Sequence, residues 1–241
     1  SGLAQDLSNV NGKLCRINLD GSIPEDNPFP NSAIWSYGHR NQQGLVFANG
    51  KIYTSEHGAS TDDEVNLIQK GRNYGWPQVQ GYCDSENEKK ICEEKNIVEP
   101  IKSLYPENTL ALGGIDFYDN HSAIKQLQNS LLVVSLKAGK LTQLKLDESG
   151  EKVLETIDLI DNKYGRLRDL CISPDGRIFI STSNKDGRGG PAAEDDRIIE
   201  LKAKPSNIEN SEDNSIMLYP NPAGDYVIFE ISETVKKIQI M

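Results

Sequence analysis

Apolar residues in this chain alternate with polar ones in short runs and do not recur at helical spacing. Leu14-Cys15-Arg16-Ile17-Asn18-Leu19, Leu45-Val46-Phe47, Lys51-Ile52-Tyr53-Thr54, Leu131-Leu132-Val133-Val134, Leu141-Thr142-Gln143-Leu144-Lys145-Leu146 and Arg177-Ile178-Phe179-Ile180-Ser181-Thr182 each read as a strand. Asp20-Gly21, Asn49-Gly50, Ser149-Gly150 and Asp175-Gly176 fall between such runs. Each puts a glycine where a hairpin needs positive φ, so the strands are expected to be antiparallel. The phrase recurs as Gly12-Lys13-Leu14, Gly50-Lys51-Ile52, Gly139-Lys140-Leu141 and Gly176-Arg177-Ile178. Repeated turn-strand phrases point to an all-β fold of repeated antiparallel sheets, the blades of a β-propeller, with a sandwich as the alternative. Helical signal is confined to about one turn within Ser122-Ala123-Ile124-Lys125-Gln126-Leu127.

The pattern changes after Leu201. Residues 1–203 carry the strand phrases, whereas 204–214 are polar, poor in large apolar side chains, and read as a linker. Within 215–241, Ile216-Met217-Leu218-Tyr219 and Tyr226-Val227-Ile228-Phe229 read as the start of a second small β domain.

Composition narrows the function classes. The chain has 241 residues and a net charge of −10, with 36 acidic against 26 basic side chains. Such a field repels phosphate backbones and anionic membrane surfaces, so nucleic-acid binding is not expected. No window approaches the roughly 20 apolar residues of a spanning helix. Ser1-Gly2-Leu3-Ala4-Gln5 has neither an initiating Met nor the features of a signal peptide, so the chain is expected to be processed or a fragment.

In so acidic a chain the grouped cations stand out. Arg40 lies beside Asn41, Lys137 lies between a strand and Gly139, and Arg166 and Arg168 alternate at strand spacing, which projects both to one face. Two adjacent guanidinium groups need an anion between them; a nearby acid such as Asp169 is one source and a ligand another. Ser55-Glu56-His57-Gly58-Ala59, Asp62-Asp63-Glu64-Val65-Asn66 and Gly71-Arg72-Asn73-Tyr74-Gly75-Trp76-Pro77 supply oxygen donors in Gly-rich loops, which suits a hard cation such as Ca²⁺, although the spacing is not that of an EF-hand. His57 is a base, a ligand or a hydrogen-bonding loop residue. Asn184-Lys185-Asp186-Gly187-Arg188-Gly189-Gly190-Pro191 lacks the following helix of a phosphate cradle and reads as a loop at the mouth of the sheets. Cys83 and Cys92 bracket a polar stretch easily closed by a disulfide, whereas Cys15 and Cys171 sit in strand patterns as small buried hydrophobes.

Six segments in order resemble the soluble pyrroloquinoline-quinone (PQQ)-dependent glucose/sorbosone (aldose sugar) dehydrogenases across about Asn11 to Leu201. They are Gly38-His39-Arg40-Asn41-Gln42-Gln43-Gly44-Leu45, Ser55-Glu56-His57-Gly58, Asp63-Glu64-Val65-Asn66-Leu67-Ile68, Gly71-Arg72-Asn73-Tyr74-Gly75-Trp76-Pro77, Ser135-Leu136-Lys137-Ala138-Gly139 and Arg166-Leu167-Arg168-Asp169. The resemblance implies a six-bladed propeller, of which this chain holds part. It implies hydride transfer from the anomeric carbon of an aldose to PQQ, assisted by Ca²⁺, giving a lactone and passing electrons to an external acceptor. By the same resemblance Arg40, Asn41, His57, Thr109, Lys137, Arg166 and Arg168 contact PQQ, a cofactor whose three carboxylates call for fixed positive charge. Gly58 and Ala59 would offer carbonyls to the Ca²⁺ at the quinone, and Gln80, Tyr82 and Asp84 would form a second Ca²⁺ site.

The family's general-base His matches none of His39, His57 and His121, and is expected upstream of residue 1. Removing linker and tail leaves about 200 residues, which at roughly 40 to 50 per blade makes four or five blades, so both ends are expected to be cut. Without that His the isolated chain is expected to be inactive. Leu218-Tyr219-Pro220-Asn221-Pro222-Ala223-Gly224-Asp225-Tyr226-Val227-Ile228 resembles the opening of the β-sandwich sorting domain read by the type IX secretion machinery of Bacteroidetes, which implies a secreted or cell-surface protein. The alternative function is a non-catalytic cell-surface propeller that binds carbohydrate or protein.

Overall fold

A computed structural model describes residues 2–119, 124–203, 219–220 and 226–229. The chain divides into two compact units, Ser1–Ala111 and Leu112–Met241. In the first, a short ladder pairs β1 (Lys13–Cys15) with β2 (Ile34–Tyr37), and β3 (Gln42–Ala48), β4 (Lys51–Glu56), β5 (Asp63–Ile68) and β6 (Lys102–Leu104) form one sheet in sequence order. In the second, β7 (Leu112–Tyr118), β8 (Ser130–Ser135), β9 (Lys140–Leu146) and β10 (Val153–Asp161) form another sequential sheet. A further sheet begins with β11 (Leu167–Ile172), β12 (Ile178–Thr182) and β13 (Ile198–Ala203), and the backbones of β14 (Tyr219–Pro220) and β15 (Tyr226–Phe229) extend it.

Neighbouring strands within the two sequential sheets are antiparallel, as the Gly turns require. Asn49 and Gly50 both adopt positive φ, 51° and 75°, and close the β3–β4 hairpin with Ala48 opposite Lys51. Sequential four-stranded meanders are the blade units of propellers, so the all-β class holds. The expected linker, 204–214, lies outside the described residues, as does most of the expected sorting segment, 215–241. Among the described residues no helix is long and apolar enough to cross a membrane.

The core of the second unit lies between its two sheets. Leu132, Val134 and Leu141 pack with Leu167, Ile178, Ile180, Ile199 and Leu201, all at most 1% exposed. Tyr118, itself fully buried, donates its hydroxyl to Gly176 O (3.0 Å) and accepts the Ile124 N–H (3.0 Å), so the phenol ties the sheets with hydrogen bonds that offset its desolvation. A Cβ on Gly114 would stand 1.7 Å from Asp169 Oδ1, and one on Gly113 2.3 Å from Arg168 O. The paired glycines let β7 approach β11 closely.

Two expectations about local structure are corrected. The polar stretch between Cys83 and Cys92 is mostly helix, α1 (Glu86–Lys95), not loop. The helix buries no residue, so it has no hydrophobic period to read; its signature is the capping box of Ser85 and Glu88. By contrast the expected turn near Ser122–Leu127 is a single 3-10 turn, Lys125–Leu127. Cys15 and Cys171 are exposed, not buried. Register shifts between Leu14 and Cys15 and between Leu167 and Asp169 interrupt the alternation that would have turned them inward.

Cys83 and Cys92 form a disulfide across nine residues. Because α1 is not held by apolar burial, reducing this bond is expected to cost about 2–3 kcal/mol, concentrated in the helix. Hydrogen exchange should show α1 amides losing protection on reduction while β8 and β9 amides keep theirs.

Candidate functional site

In the first unit the site residues cluster at one end of the β3–β4 hairpin. Arg40 and Asn41 directly precede β3, and His57 and Gly58 directly follow β4, so the Gln42↔Glu56 pair brings them side by side. Glu56 organises this end from the inside. Only 3% exposed, it accepts the Asn41 N–H (3.2 Å) and the Arg40 N–H on Oε1, while Oε2 lies 3.2 Å from His39 Nδ1. His39 is stacked on Tyr74 (4.6 Å between centroids), and its Nε2 lies 2.9 Å from Ser36 Oγ. It is a structural histidine, 1% exposed.

The Arg40 guanidinium is fixed from two directions. Nη1 donates to His57 O (3.0 Å), and the group lies 5.4 Å from the centre of the Trp76 ring. Trp76 lies in a segment marked beforehand as an oxygen-donor loop and for its resemblance, with no role for the indole itself.

Asp63 ties the other residues of this end together. Fully buried at the start of β5, its carboxylate accepts Gly58 N–H (2.7 Å), Thr109 Oγ–H (2.9 Å) and Leu110 N–H. Gly58 and Thr109, 51 positions apart, therefore share one acceptor. The expected loop of oxygen donors at Asp62–Asn66 is here largely strand, with Asp63, Val65 and Asn66 buried.

A pocket beneath Gly58 is lined by Glu56, Asp62, Glu64 and Gln80 among others. Glu64 accepts Gly81 N–H (2.7 Å) and Asn66 Nδ2–H (3.0 Å), yet burial first, and the Glu56 carboxylate second, push its pKa up to about 8. Gln80 Oε1 is buried with no hydrogen-bond partner. Glu56, Asp62, Glu64 and Gln80 supply the oxygens a hard cation takes, while Arg40 and His57 line the same pocket. Among the described residues no three His, Cys, Asp or Glu side chains group to hold a metal by themselves, so such a site would also draw on Gln80 and backbone carbonyls. Ala59, Tyr82 and Asp84 are exposed, and Tyr82 O accepts the Asp84 N–H (3.0 Å).

In the second unit the other expected cations come together. Lys137 is exposed in the β8–β9 turn, whose Gly139 approaches Gly165 so closely that a Cβ would stand 2.4 Å from its carbonyl oxygen. That contact sets the Lys137 turn beside Arg166. Arg166 and Arg168 do reach a common point, although Arg166 precedes β11 and the register shifts between Leu167 and Asp169, and their anion is Asp186 and not Asp169. Arg166 Nη2 lies 2.9 Å and Arg168 Nη2 3.8 Å from Asp186 Oδ2. Asp169 instead accepts the Leu170 N–H (2.9 Å). The grouping of Arg40, Asn41, His57, Gly58 and Thr109 belongs to one unit, and that of Lys137, Arg166 and Arg168 to the other.

The arrangement has counterparts among known proteins. Residues 1–192 match the family model described as glucose/sorbosone dehydrogenase. The chain is 34% identical to quinoprotein glucose dehydrogenase B of Acinetobacter calcoaceticus, over 76% of this chain and 50% of that protein. It is also 34% identical to aldose sugar dehydrogenase YliI of Escherichia coli, over 76% of this chain and 51% of that one. The PQQ-bound aldose sugar dehydrogenase of Streptomyces coelicolor superposes with a TM-score of 0.67 at 32% identity, covering 83% of this chain and 54% of that one. The chain thus spans about half the length of the curated relatives it matches. With its sheets, its family model and these relatives in agreement, the chain belongs to the glucose/sorbosone dehydrogenase family.

Proposed function

We propose that the protein oxidises the anomeric carbon of aldose sugars, using PQQ held with Ca²⁺. The observation that carries this reading is the Arg166–Arg168 pair, two guanidinium groups sharing one carboxylate, which leaves a net positive charge and donors for an acidic ligand. When bound, PQQ would accept the electron pair from the sugar and Ca²⁺ would act as Lewis acid at the quinone.

The residues of this chain bind and orient. Arg166, Arg168 and Lys137 would donate to cofactor carboxylates from the second unit. Within the first unit, Arg40 is immobilised by His57 O and Trp76 and so gives a charge of fixed direction near Asn41, His57 and Thr109 of that unit. The orphaned Gln80 Oε1, with Glu56, Asp62 and Glu64 in the same pocket, fits a Ca²⁺ requirement, as do the carbonyls of the Gly58–Ala59 turn. Removal of the sugar hydroxyl proton is not assigned to His39, whose burial and contacts with Ser36 and Glu56 keep it from substrate. A His carried elsewhere in the protein completes the proposal.

Export to an extracytoplasmic compartment is part of the same reading, supported by the Cys83–Cys92 disulfide, and type IX secretion is its proposed route. Cell fractionation, with the protein found outside the cytoplasm, tests that part.

For the chemistry, the protein in its full natural length is freed of metal and titrated with PQQ and Ca²⁺, and aldose-dependent dye reduction is followed. Activity that appears on reconstitution and disappears with chelator is expected; failure to bind PQQ would refute the proposal. Arg168→Ala removes a side chain already 42% exposed, so the fold should persist while PQQ affinity falls about 10- to 100-fold, as loss of charge-assisted hydrogen bonds entails.

A further inference from the structure

The loop Asn184–Gly190, which has the glycines of a phosphate cradle but no following helix, is folded around Arg166. Asn184, 4% exposed, accepts the Arg166 N–H on Oδ1 (2.7 Å) and donates Nδ2–H to Tyr164 O (2.9 Å), while Arg166 O accepts the Ser183 N–H (2.8 Å). Gly189 lies flat against the arginine stem, where a Cβ would stand 3.0 Å from Arg166 Cδ and 2.5 Å from Asn184 O. The loop is anchored in turn by Asp196, whose carboxylate accepts the Asn184 and Lys185 N–H groups.

Asp186 completes the enclosure. Its Oδ2 accepts the Arg166 Nε–H (2.9 Å) and lies 2.9 Å from Nη2 as an ion pair, and its Oδ1 is held by the Arg188 N–H (2.9 Å). The Arg188 amide first, and Arg166 after it, keep the Asp186 carboxyl below the usual carboxylate range, so it is ionised at neutral pH. The two arginines are not treated alike. Arg166 is gripped along one edge with 15% of its side chain exposed, whereas Arg168 touches the same oxygen only at 3.8 Å and is 42% exposed.

We propose that Asp186 is a positioning residue: by holding the Nε/Nη2 edge of Arg166 it fixes the guanidinium so that the Nη1 side alone faces an acidic ligand, while Arg168 stays free to turn toward it. This rests on the reading of the cations as a PQQ site. Asp186 also adds a negative charge near an anionic ligand, so fixing and repulsion act in opposite directions. Fixing dominates, because a long arginine side chain left unheld loses its orientation, whereas the repulsion is screened by Arg166 and Arg168 themselves.

The experiment compares wild type, Asp186→Ala, Asp186→Asn, Arg166→Ala and the Arg166→Ala/Asp186→Ala double variant in the full-length protein, with thermal unfolding to confirm that each folds. Two readouts are used. Without cofactor, phenylglyoxal labelling of Arg166, followed by peptide mass spectrometry, should be at least about 5-fold faster in Asp186→Ala than in wild type, since the edge is no longer shielded. With cofactor, the PQQ dissociation constant should rise about 10-fold in Asp186→Ala, less in Asp186→Asn, and by under about 2-fold when Asp186→Ala is added to Arg166→Ala. Unchanged labelling, tighter PQQ binding in Asp186→Ala, or additive effects in the double variant would each overturn the positioning role. If wild type binds no PQQ while the labelling result holds, the cofactor reading has failed and the grip on Arg166 is structural only, which also overturns the proposal.

Discussion

Asp63→Ala is expected to destabilise the protein by roughly 3–5 kcal/mol and to remove cofactor binding with it, because the fully buried carboxylate is the common acceptor for Gly58 N–H, Thr109 Oγ–H and Leu110 N–H. Alanine leaves the buried Leu110 N–H and the half-buried Gly58 and Thr109 donors without it. Each hydrogen bond to a charged acceptor contributes about 1.5–3 kcal/mol, and relaxation recovers part of the sum. Asp63→Asn keeps one acceptor oxygen and should lose about half as much. Urea unfolding of both variants, with PQQ binding measured at a temperature where each is folded, checks the order Ala worse than Asn worse than wild type. An Asp63→Ala protein of wild-type stability would show that the three contacts are not what holds the Gly58 and Thr109 turns together.

Gly58→Ala is the second large effect, and here space decides. A Cβ on Gly58 would stand 1.7 Å from Thr61 O and 2.8 Å from both the carbonyl carbon and the oxygen of Asp62. These are backbone atoms of the turn leading into β5, so no side-chain rotation relieves the overlap. The turn must open, at a cost of about 3 kcal/mol or more, and the Gly58 N–H is pulled from Asp63 as it does so. A melting temperature lowered by several degrees, together with a raised Ca²⁺ requirement for PQQ binding, is the expected result. Substituting the exposed neighbour, Ala59→Ser, should change neither.

The two variants mark a division in what could be read beforehand. Gly58 and Thr109 were given roles by resemblance, whereas Asp63, which joins them, lay in a resembling segment and was given none. Asp63 looked like one oxygen donor in an acidic run. Its partners lie 5, 46 and 47 positions away, and no local pattern announces such contacts. Glu56 and Asp186 were overlooked for the same reason, each acting on an arginine 16 or 20 positions distant. Helix α1 escaped for a different reason: with every side chain outside the core, periodicity vanished and only the Ser85–Glu88 capping box remained.

Strands, hairpins and the sheet class follow from local chemistry: alternation of apolar with polar residues decides which backbone faces inward, and glycine at positive φ decides where the chain reverses. The cations themselves were equally visible, but strand spacing does not explain why Arg166 and Arg168 meet, since Arg166 precedes β11 and the register shifts between Leu167 and Asp169. Tertiary structure alone chose the anion between Arg166 and Arg168, turned Gln80 into the acidic pocket, and exposed Cys15 and Cys171. Those outcomes depend on which distant segments meet and on where a bulge breaks the alternation. Both are settled by the packing of whole sheets, which no short run of residues specifies.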